Sequence, residues 1–189
     1  FRAGGGALAE GRRMSAARPG ALVVRPMRAG DLAAVLRVQR EAYGDAYQES
    51  AAVFGHKLAL APAACWMAEA GGEGVGYVFA HPWSEGAPPL HAELHALPAG
   101  AGHGFVHDMA VSPRARGAGV GHRLFARVAD WAQAAGHRGL RLVALADAVA
   151  CWRGFGFAET GRRLPEGYGA GAVLMQRAEL RPAGGPVGA

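Results

Sequence analysis

The amino-acid sequence predicts a single α/β or α+β domain built around a mixed β-sheet. Hydrophobic runs of strand length alternate along the chain with segments whose apolar residues recur at helical spacing. The 189 residues, of which 51% are hydrophobic and 19% charged, suit one hydrophobic core. We expect the domain to span residues 21–181. A disordered extension, rich in Gly, Ala and Arg, is predicted over residues 1–20, and a flexible tail over residues 182–189.

The first part of the domain predicts a strand, two helices and a hairpin. The run ALVVRPM is typical of a short strand closed by Pro26, and a helix begins near Asp31, a helix-capping residue type. A second helix is predicted to begin at Ser50 and to end before Pro62. The runs CWMAEA and GVGYVFA, separated by glycines, then predict the two strands of a β-hairpin.

Residues 81–104 predict a long loop with one short element inside it. They hold four prolines and four glycines around the run LHAELHAL, and a loop of this length in a small domain is usually functional or mobile. His91 and His95 would share one face of a helix and suggest a metal site. Because the proline and glycine content does not favour a rigid helix, we interpret them as solvated loop residues and predict no metal.

The second half of the domain predicts strand, turn, helix, strand, short helix and strand. FVHDMAV is a buried strand that ends at Pro113, and RARGAGVG is a glycine-rich turn. Helical spacing then runs from Val120 to Ala135, followed by Gly136 as a C-terminal cap. GLRLVAL predicts the next strand, AVACWRGF a short helix, and residues 172–175 the last strand.

Charge and composition exclude several classes of protein. The sequence contains no run of eighteen apolar residues, so it predicts no membrane span. Two cysteines are too few for a disulfide framework. We therefore expect a cytoplasmic protein without a membrane partner. The 19 Arg, the single Lys and the absence of Asn and Ile indicate a GC-rich, bacterial genome. Nine Arg against three acidic residues over 112–163 favour a small polyanion over nucleic acid, whereas residues 82–111 hold three acids and no Lys or Arg.

The glycine-rich turn predicts an anion site. Gly117, Gly119 and Gly121 leave backbone N–H groups unobstructed at the positive N-terminus of a helix, where phosphate binds well. The spacing G-x-G-x-G departs from the dinucleotide fingerprint, and His122 and Arg123 replace the residues that a nucleotide P-loop requires. From these residues alone, a glycine-rich helix entry that binds nothing stays an alternative.

The run VHDMAVSPRARGAGVGHRLF resembles motif A of the GCN5-related N-acetyltransferase (GNAT) family, with Arg116, Gly119 and Gly121 at its defining positions. CWRGFGF resembles the family's motif B, with Trp152 where a tyrosine is common. The resemblance covers residues 22–178. It implies one domain with a mostly antiparallel central sheet, a splayed strand pair and flanking helices.

The resemblance also implies that acetyl-CoA is the cosubstrate and lies between the splayed strands. The backbone of the motif A strand would hold the pantetheine arm and polarise the thioester, and the amides of the turn would hold the pyrophosphate. The cofactor-binding residues implied are Met109, Ala110, Val111, Arg116, Gly117, Ala118, Gly119, Val120, Gly121, His122 and Trp152. Trp152 is expected to pack against the coenzyme.

The predicted catalytic residues are His107, Asp108 and Met109. His107 stands where the family often has a glutamate base, and a histidine titrates near neutral pH, although a structural histidine is an equal alternative. Strand alternation places Asp108 on the face opposite His107, so only one of them would face the cleft. Glu93 and Glu41 are reserve bases.

The proton donor to the leaving thiolate is left open, because Trp152 has no acidic proton. Cys151, Tyr168 or water are candidates, or the thiolate leaves unaided. The predicted function is transfer of an acetyl group from acetyl-CoA to a primary amine by direct attack in a ternary complex. Acetylation of a cysteine is a minor route, and a non-catalytic acyl-CoA sensor is the competing class. Dimers are common in the family, so a homodimer is one expected assembly.

Overall fold

The computed structural model describes residues 21–45 and 47–178, so the predicted N-terminal extension and C-terminal tail lie outside the described residues. The described chain forms one seven-stranded sheet. All neighbouring strands are antiparallel except β4 and β5, which are parallel, and this confirms the predicted mixed sheet. The strands are β1 (Val23–Pro26), β2 (Cys65–Ala70), β3 (Glu73–Trp83), β4 (His103–Val111), β5 (Leu140–Ala144), β6 (Ala158–Glu159) and β7 (Val173–Arg177), in the order β1-β2-β3-β4-β5-β7-β6.

Four helices cover the two faces of the sheet. They are α1 (Leu32–Tyr43), α2 (Ala51–Leu60), α3 (Val120–Ala134) and α4 (Val149–Gly154). Ser50 caps α2 as predicted, because its hydroxyl accepts a hydrogen bond from the Val53 amide. The apolar sides of α1 and α2 pack on one face against Tyr77 and Phe79 of β3. The helices α3 and α4 share a second hydrophobic cluster on the opposite face.

Strands β4 and β5 separate after a short stretch of pairing. Gly104–Val106 pair with Leu140–Leu142, and no pairing joins β4 to β5 beyond Val106. Strand β4 continues to Val111 with its other edge paired to β3. The second half of β4 therefore has one open edge, which confirms the predicted splayed strand pair.

A β-bulge interrupts β4 where the two strands separate. Phe79 pairs with Asp108 and Ala80 pairs with Val106, so His107 is an extra residue in the register between β3 and β4. A bulge of this kind re-aims side chains and increases the local strand twist. It lies at the start of the open edge of β4, and it sets which β4 side chains point into the gap.

The structure corrects two details of the predicted elements. The short element expected near LHAELHAL is absent, because residues 84–102 contain turns but no helix or strand. The prolines and glycines of this segment explain why a regular element does not form. The two-residue strand β6 was not predicted, since so short a run carries no periodic signal. Within the described residues, no helix has the length and apolar character that a membrane crossing requires.

Candidate active site

A cavity of about 90 Å³ lies in the gap between β4 and β5. Val106, His107, Asp108 and Met109 of β4 form one wall. Leu142 and Val143 of β5, followed by Leu145 and Trp152, form the opposite wall. Tyr43, Glu49 and residues of the 84–102 loop close the cavity on the side of α1 and α2. The predicted catalytic residues thus line one cavity.

The bulge places His107 and Asp108 on the same face of β4, which corrects the expectation from strand alternation. Both side chains line the cavity, and both have partners on the side of α1 and α2. The extra residue in the register offsets the alternation of the strand by one position, so two successive side chains point the same way. The predicted pair therefore lines one cavity.

His107 forms a buried pair with Glu49. Its Nε2 lies 2.7 Å from Glu49 Oε2, and each side chain is 5% exposed. Burial opposes ionisation of Glu49, but the hydrogen bond from His107 and the charge of Lys57 outweigh it and lower the pKa of Glu49 to about 2. Glu49 is therefore a carboxylate at neutral pH. It accepts the Nε2 proton, and Nδ1 of the ring has no hydrogen-bond partner in the part of the chain that the structure describes.

Lys57, the single lysine of the chain, also supports Glu49. The Lys57 side chain is 1% exposed, and its Nζ lies 3.6 Å from Glu49 Oε2. Nζ also donates to the Ala92 carbonyl at 3.2 Å. Burial lowers the pKa of Lys57 while the charge of Glu49 opposes that shift. Lys57 thus ties the 84–102 loop to α2 directly beside the His107–Glu49 pair.

Asp108 is held by two tyrosine hydroxyls. Tyr43 donates to Asp108 Oδ1 at 2.7 Å and Tyr77 donates to Oδ2 at 2.6 Å. Burial raises the pKa of both tyrosines well above the usual value, and the charge of Asp108 adds to this shift. The Tyr43 hydroxyl also lies 3.1 Å from the Met109 carbonyl oxygen. Asp108 is therefore a fixed negative charge in the cavity wall.

The open edge of β4 presents backbone amides to the gap. The Ser112 amide donates to the Val75 carbonyl on β3, at 2.9 Å. Because successive residues of a strand direct their N–H groups to opposite edges, Ala110 also faces β3, whereas Met109 and Val111 face the gap. Of the three backbone positions predicted for the coenzyme, two have amides on the open edge.

The glycine-rich turn lies at the start of α3, as predicted. Gly117 and Gly119 have φ of 79° and 75°, a backbone conformation that other residues rarely adopt. The Arg123 amide donates to the Gly119 carbonyl at 3.1 Å, so the amides of Val120, Gly121 and His122 precede the hydrogen-bond ladder of the helix. Residues 116–119 are exposed. The turn offers an anion several free donors at a positive helix terminus.

The family model for "Acetyltransferase (GNAT) family" matches residues 32–157, which is two thirds of the chain. The chain belongs to this family. The match begins at α1 and ends with the motif B run, so it contains all the residues predicted to be catalytic or to bind the cofactor. A search of curated protein sequences finds no match to the chain.

Solved structures share the GNAT fold. Ard1 from Thermoplasma volcanium aligns with a TM-score of 0.66 at 19% identity, covering 82% of this chain and 96% of that one. A GNAT-like decarboxylase, GphF, in complex with isobutyryl-CoA aligns with a TM-score of 0.67 at 19% identity, covering 84% of this chain and 100% of that one. A GNAT family acetyltransferase from Brucella melitensis in complex with acetyl-CoA aligns with a TM-score of 0.54 at 23% identity, covering 78% of this chain and 93% of that one. At these identities the likeness shows the GNAT fold.

Trp152 occupies the motif B position of this GNAT domain and is largely buried. Its ring packs against Phe125, Phe155 and Phe157 and also lines the cavity. Tyr168 lines the cavity as well, but its hydroxyl donates to the Pro88 carbonyl at 2.6 Å. Burial raises the pKa of Tyr168 above its usual value. Its proton is directed to the loop and away from the open edge of β4.

The cysteines of this GNAT chain are poor nucleophiles. Cys65 is fully buried, and burial raises the pKa of its thiol to about 12, with a weak opposing bond to Ala80. Burial also raises the pKa of Cys151, which is not among the cavity-lining residues. A thiolate is the reactive form of cysteine, so these shifts argue against a cysteine-bound acetyl group.

The reserve carboxylates lie elsewhere. Glu41 pairs with Arg37 at 2.8 Å and with Arg114 at 3.2 Å, and Glu93 lies beside His56. Neither lines the cavity. Sequence reasoning missed Glu49, Tyr43 and Lys57, because none stands at a position to which a motif assigns a chemical role. The unusual single lysine within a helix was the one signal that pointed to this cluster.

Proposed function

We propose that this GNAT protein is an N-acetyltransferase that transfers acetyl from acetyl-CoA to a primary amine of a small molecule or protein in a ternary complex. The observation that carries this proposal is the open edge of β4. It brings backbone donors, the His107–Glu49 pair and the Asp108 charge to one cavity. Membership of the family supports acetyl-CoA as the cosubstrate.

The glycine-rich turn would hold the pyrophosphate of acetyl-CoA. The free amides of Val120, Gly121 and His122 point out of the N-terminus of α3, and Gly117 and Gly119 place no side chain between them and an anion. Arg116, Arg123 and Arg127 are exposed on the turn and on α3, where they add positive charge. The donor set and its charge therefore fit a diphosphate.

The acceptor amine must lose a proton for the reaction to proceed. Free alkyl amines have a pKa near that of lysine, about 10.4, so a base is useful at neutral pH. Glu49 accepts the Nε2 proton of His107, so the lone pair of Nδ1 can accept a proton from the amine. Asp108 and Glu49 supply negative charge that attracts a cationic acceptor into the cavity.

The transfer step replaces the C–S bond of the thioester with a C–N bond and moves one proton. The amine nitrogen bonds to the thioester carbonyl carbon, the C–S bond breaks, and the amine proton passes to His107. The amides of Met109 and Val111, on the open edge of β4, would stabilise the developing oxyanion, and one such donor contributes about 3 kcal/mol. The thiolate leaves unaided or takes a proton from water, because the thiol pKa is about 8.5 and Tyr168 donates elsewhere.

An amine-dependent thiol-release assay tests this function. Purified protein is mixed with acetyl-CoA and a panel of primary amines that includes polyamines, amino sugars, lysine peptides and peptides with free N-termini. We expect CoA release in equal amount to an N-acetylated product, identified by its mass, with at least one acceptor. Tight binding of acetyl-CoA without release on any acceptor would favour the acyl-CoA sensor. Absence of acetyl-CoA binding would overturn both functions.

A further inference from the structure

Outside the active site, three metal-ligating side chains converge on one point. His56, Glu93 and His95 have ligand atoms that all lie within 4.8 Å of one another. His56 belongs to α2, whereas Glu93 and His95 belong to the irregular 84–102 loop. From this convergence we propose that the three residues form a Zn²⁺ site that fastens the loop to α2. The inference does not depend on the proposed acetyl transfer.

The spacing of the ligand atoms suits a small cation. Zn²⁺ binds imidazole nitrogen and carboxylate oxygen at about 2.0–2.2 Å in tetrahedral geometry, which separates two ligand atoms by about 3.4 Å. His56 Nδ1 lies 3.2 Å from Glu93 Oε2. The rings of His56 and His95 have centroids 5.3 Å apart and planes tilted by 59°, so they are not stacked on each other. Small side-chain adjustments would bring all three atoms to bonding distance.

Among the described residues, His56 Nδ1 has no hydrogen-bond partner, although this atom is shielded from solvent. The nearby Glu93 oxygen is at a suitable distance, but the pair does not meet the angular requirements of a hydrogen bond. A buried polar atom without a partner carries a desolvation cost. A cation bound between His56 and Glu93 would use both atoms and remove that cost.

The donor set favours Zn²⁺ over Mg²⁺ and Ca²⁺. Two imidazoles and one carboxylate are the ligands that Zn²⁺ binds in sites with an open fourth position, which water can fill. Mg²⁺ and Ca²⁺ prefer sets of oxygen ligands and would bind this set poorly. Glu93 and His95 are exposed, so the metal can exchange with solution. We therefore assign a site that loads and releases Zn²⁺ rather than a closed structural centre.

The position of the site couples it to the cavity. Lys57, next to His56 on α2, donates a hydrogen bond to the Ala92 carbonyl, and this bond links the helix to the loop close to the proposed metal site. The same loop supplies Leu90 and His91 to the wall of the cavity. A metal bound by His56, Glu93 and His95 would add a second link between α2 and the loop, a few residues further along the loop. Bound Zn²⁺ would thus order the loop that forms one side of the acceptor site.

Metal titration of the full chain, free of any affinity tag and stripped with chelator, tests the site. Zn²⁺ affinity is measured by competition with a chromophoric chelator, and Co²⁺ absorption reports the geometry. We expect one Zn²⁺ per chain, tetrahedral Co²⁺ bands, and affinity lowered by about a hundredfold or more in His56→Ala, Glu93→Gln and His95→Ala. Control variants His91→Ala and His122→Ala should keep the wild-type affinity.

Equal Zn²⁺ affinity in the wild type and the three ligand variants would overturn the site, as would loss of affinity in His91→Ala. His56 is half-buried and Glu93 and His95 are exposed, so apo circular dichroism of the variants should match the wild type and exclude unfolding as the cause. Hydrogen exchange of residues 84–102 tests the ordering role. We expect Zn²⁺ to slow exchange in the wild type and not in Glu93→Gln, and unchanged exchange in the loaded wild type would overturn that role.

Discussion

At His107, the position of the ring proton determines what the residue can do. The Glu49 carboxylate accepts from Nε2, so in the neutral ring Nδ1 carries the lone pair. A histidine fixed in one tautomer by a buried carboxylate is a common arrangement for proton transfer. In the proposed mechanism Glu49 would act through His107 rather than on a reacting atom, so its role would be that of a positioning residue.

His107→Gln is expected to lower kcat by about 10²–10⁴-fold at neutral pH, the usual contribution of a general base. Glutamine retains a donor for Glu49 but accepts no proton from the amine. The deficit should shrink as the pH rises toward about 10.4, because the free amine then deprotonates in solution. Rates measured from pH 6 to 10 would check this. A deficit that stays constant over that range would remove His107 as the base.

His81 is expected to make the fold sensitive to acid. Burial lowers the pKa of His81 to about 3, and its bond to the Pro82 carbonyl opposes that shift only partly. In the unfolded chain the ring takes up a proton near pH 6.5, whereas in the folded chain it does so only near pH 3. The stability that the neutral ring contributes is therefore present above pH 6.5 and is lost as the pH falls toward 3.

The variant His81→Phe isolates this contribution. The free energy of unfolding of the wild type should fall more steeply below pH 6.5, by up to about 1.4 kcal/mol per pH unit, than that of the variant. Urea denaturation at several pH values between 4 and 7.5 measures the difference. His122→Ala, which removes an exposed histidine, should retain the wild-type slope. If the free energy of unfolding changed with pH at the same slope in His81→Phe and the wild type, the acid sensitivity would not come from His81.

At the scale of elements, the turn before α3 can be tested with two matched glycines. Gly119 and Gly71 both have positive φ, of 75° and 62°, and a Cβ added at either meets no atom within 4 Å. Alanine at each should cost about 1 kcal/mol of stability from backbone strain. Only Gly119 lies in the proposed pyrophosphate site, since Gly71 is in the β2–β3 hairpin.

We therefore expect Gly119→Ala to weaken acetyl-CoA binding about tenfold or more, which corresponds to the loss of one charge-assisted hydrogen bond. Gly71→Ala should bind acetyl-CoA like the wild type. Isothermal titration calorimetry gives both affinities, and urea denaturation confirms equal stability costs. Wild-type affinity in Gly119→Ala would count against the turn as the anion site.

Apart from the two-residue β6, the strands and α-helices could be predicted from the sequence, because each has a hydrophobic period or a capping residue. Strand β4 also has an apolar pattern, and the motif A run that contains it predicts the glycine-rich turn and the helix that follow. Its bulge could not be predicted, because the extra residue depends on the register with β3, which is a non-local property. The expected opposite orientation of His107 and Asp108 was therefore wrong, although both residues belong to the site.

The partners of the site residues were also beyond sequence reasoning. Glu49 is 58 residues from His107 in the chain, and Tyr43 is 65 residues from Asp108. Such pairs arise because α1, α2 and the residues between them lie against the central strands β3 and β4, and they leave no local pattern. The glycine-rich turn, in contrast, is specified by neighbouring residues alone, and its position at the start of α3 could be predicted.

At the scale of the whole molecule, the sheet consists of two parts with a narrow junction. Strands β1 to β4 form one part and β5 to β7 the other, joined by three residue pairs between Gly104–Val106 and Leu140–Leu142. The cavity lies directly beyond this junction and is lined from both parts. A ligand in the gap would contact both parts and replace the backbone pairing that β4 and β5 lack.

Acetyl-CoA is therefore expected to stabilise the whole domain and, in particular, the junction. At a free concentration about 100 times Kd, binding to the native state adds about 2.7 kcal/mol, which for a domain of this size raises Tm by roughly 5–10 °C. Hydrogen exchange should slow in the second half of β4 and also in Val143, Ala144 and β7 on the other side of the gap. Protection confined to the glycine-rich turn would mean that the coenzyme binds at α3 without bridging the sheet, because only a ligand seated between β4 and β5 can couple the exchange of the two parts.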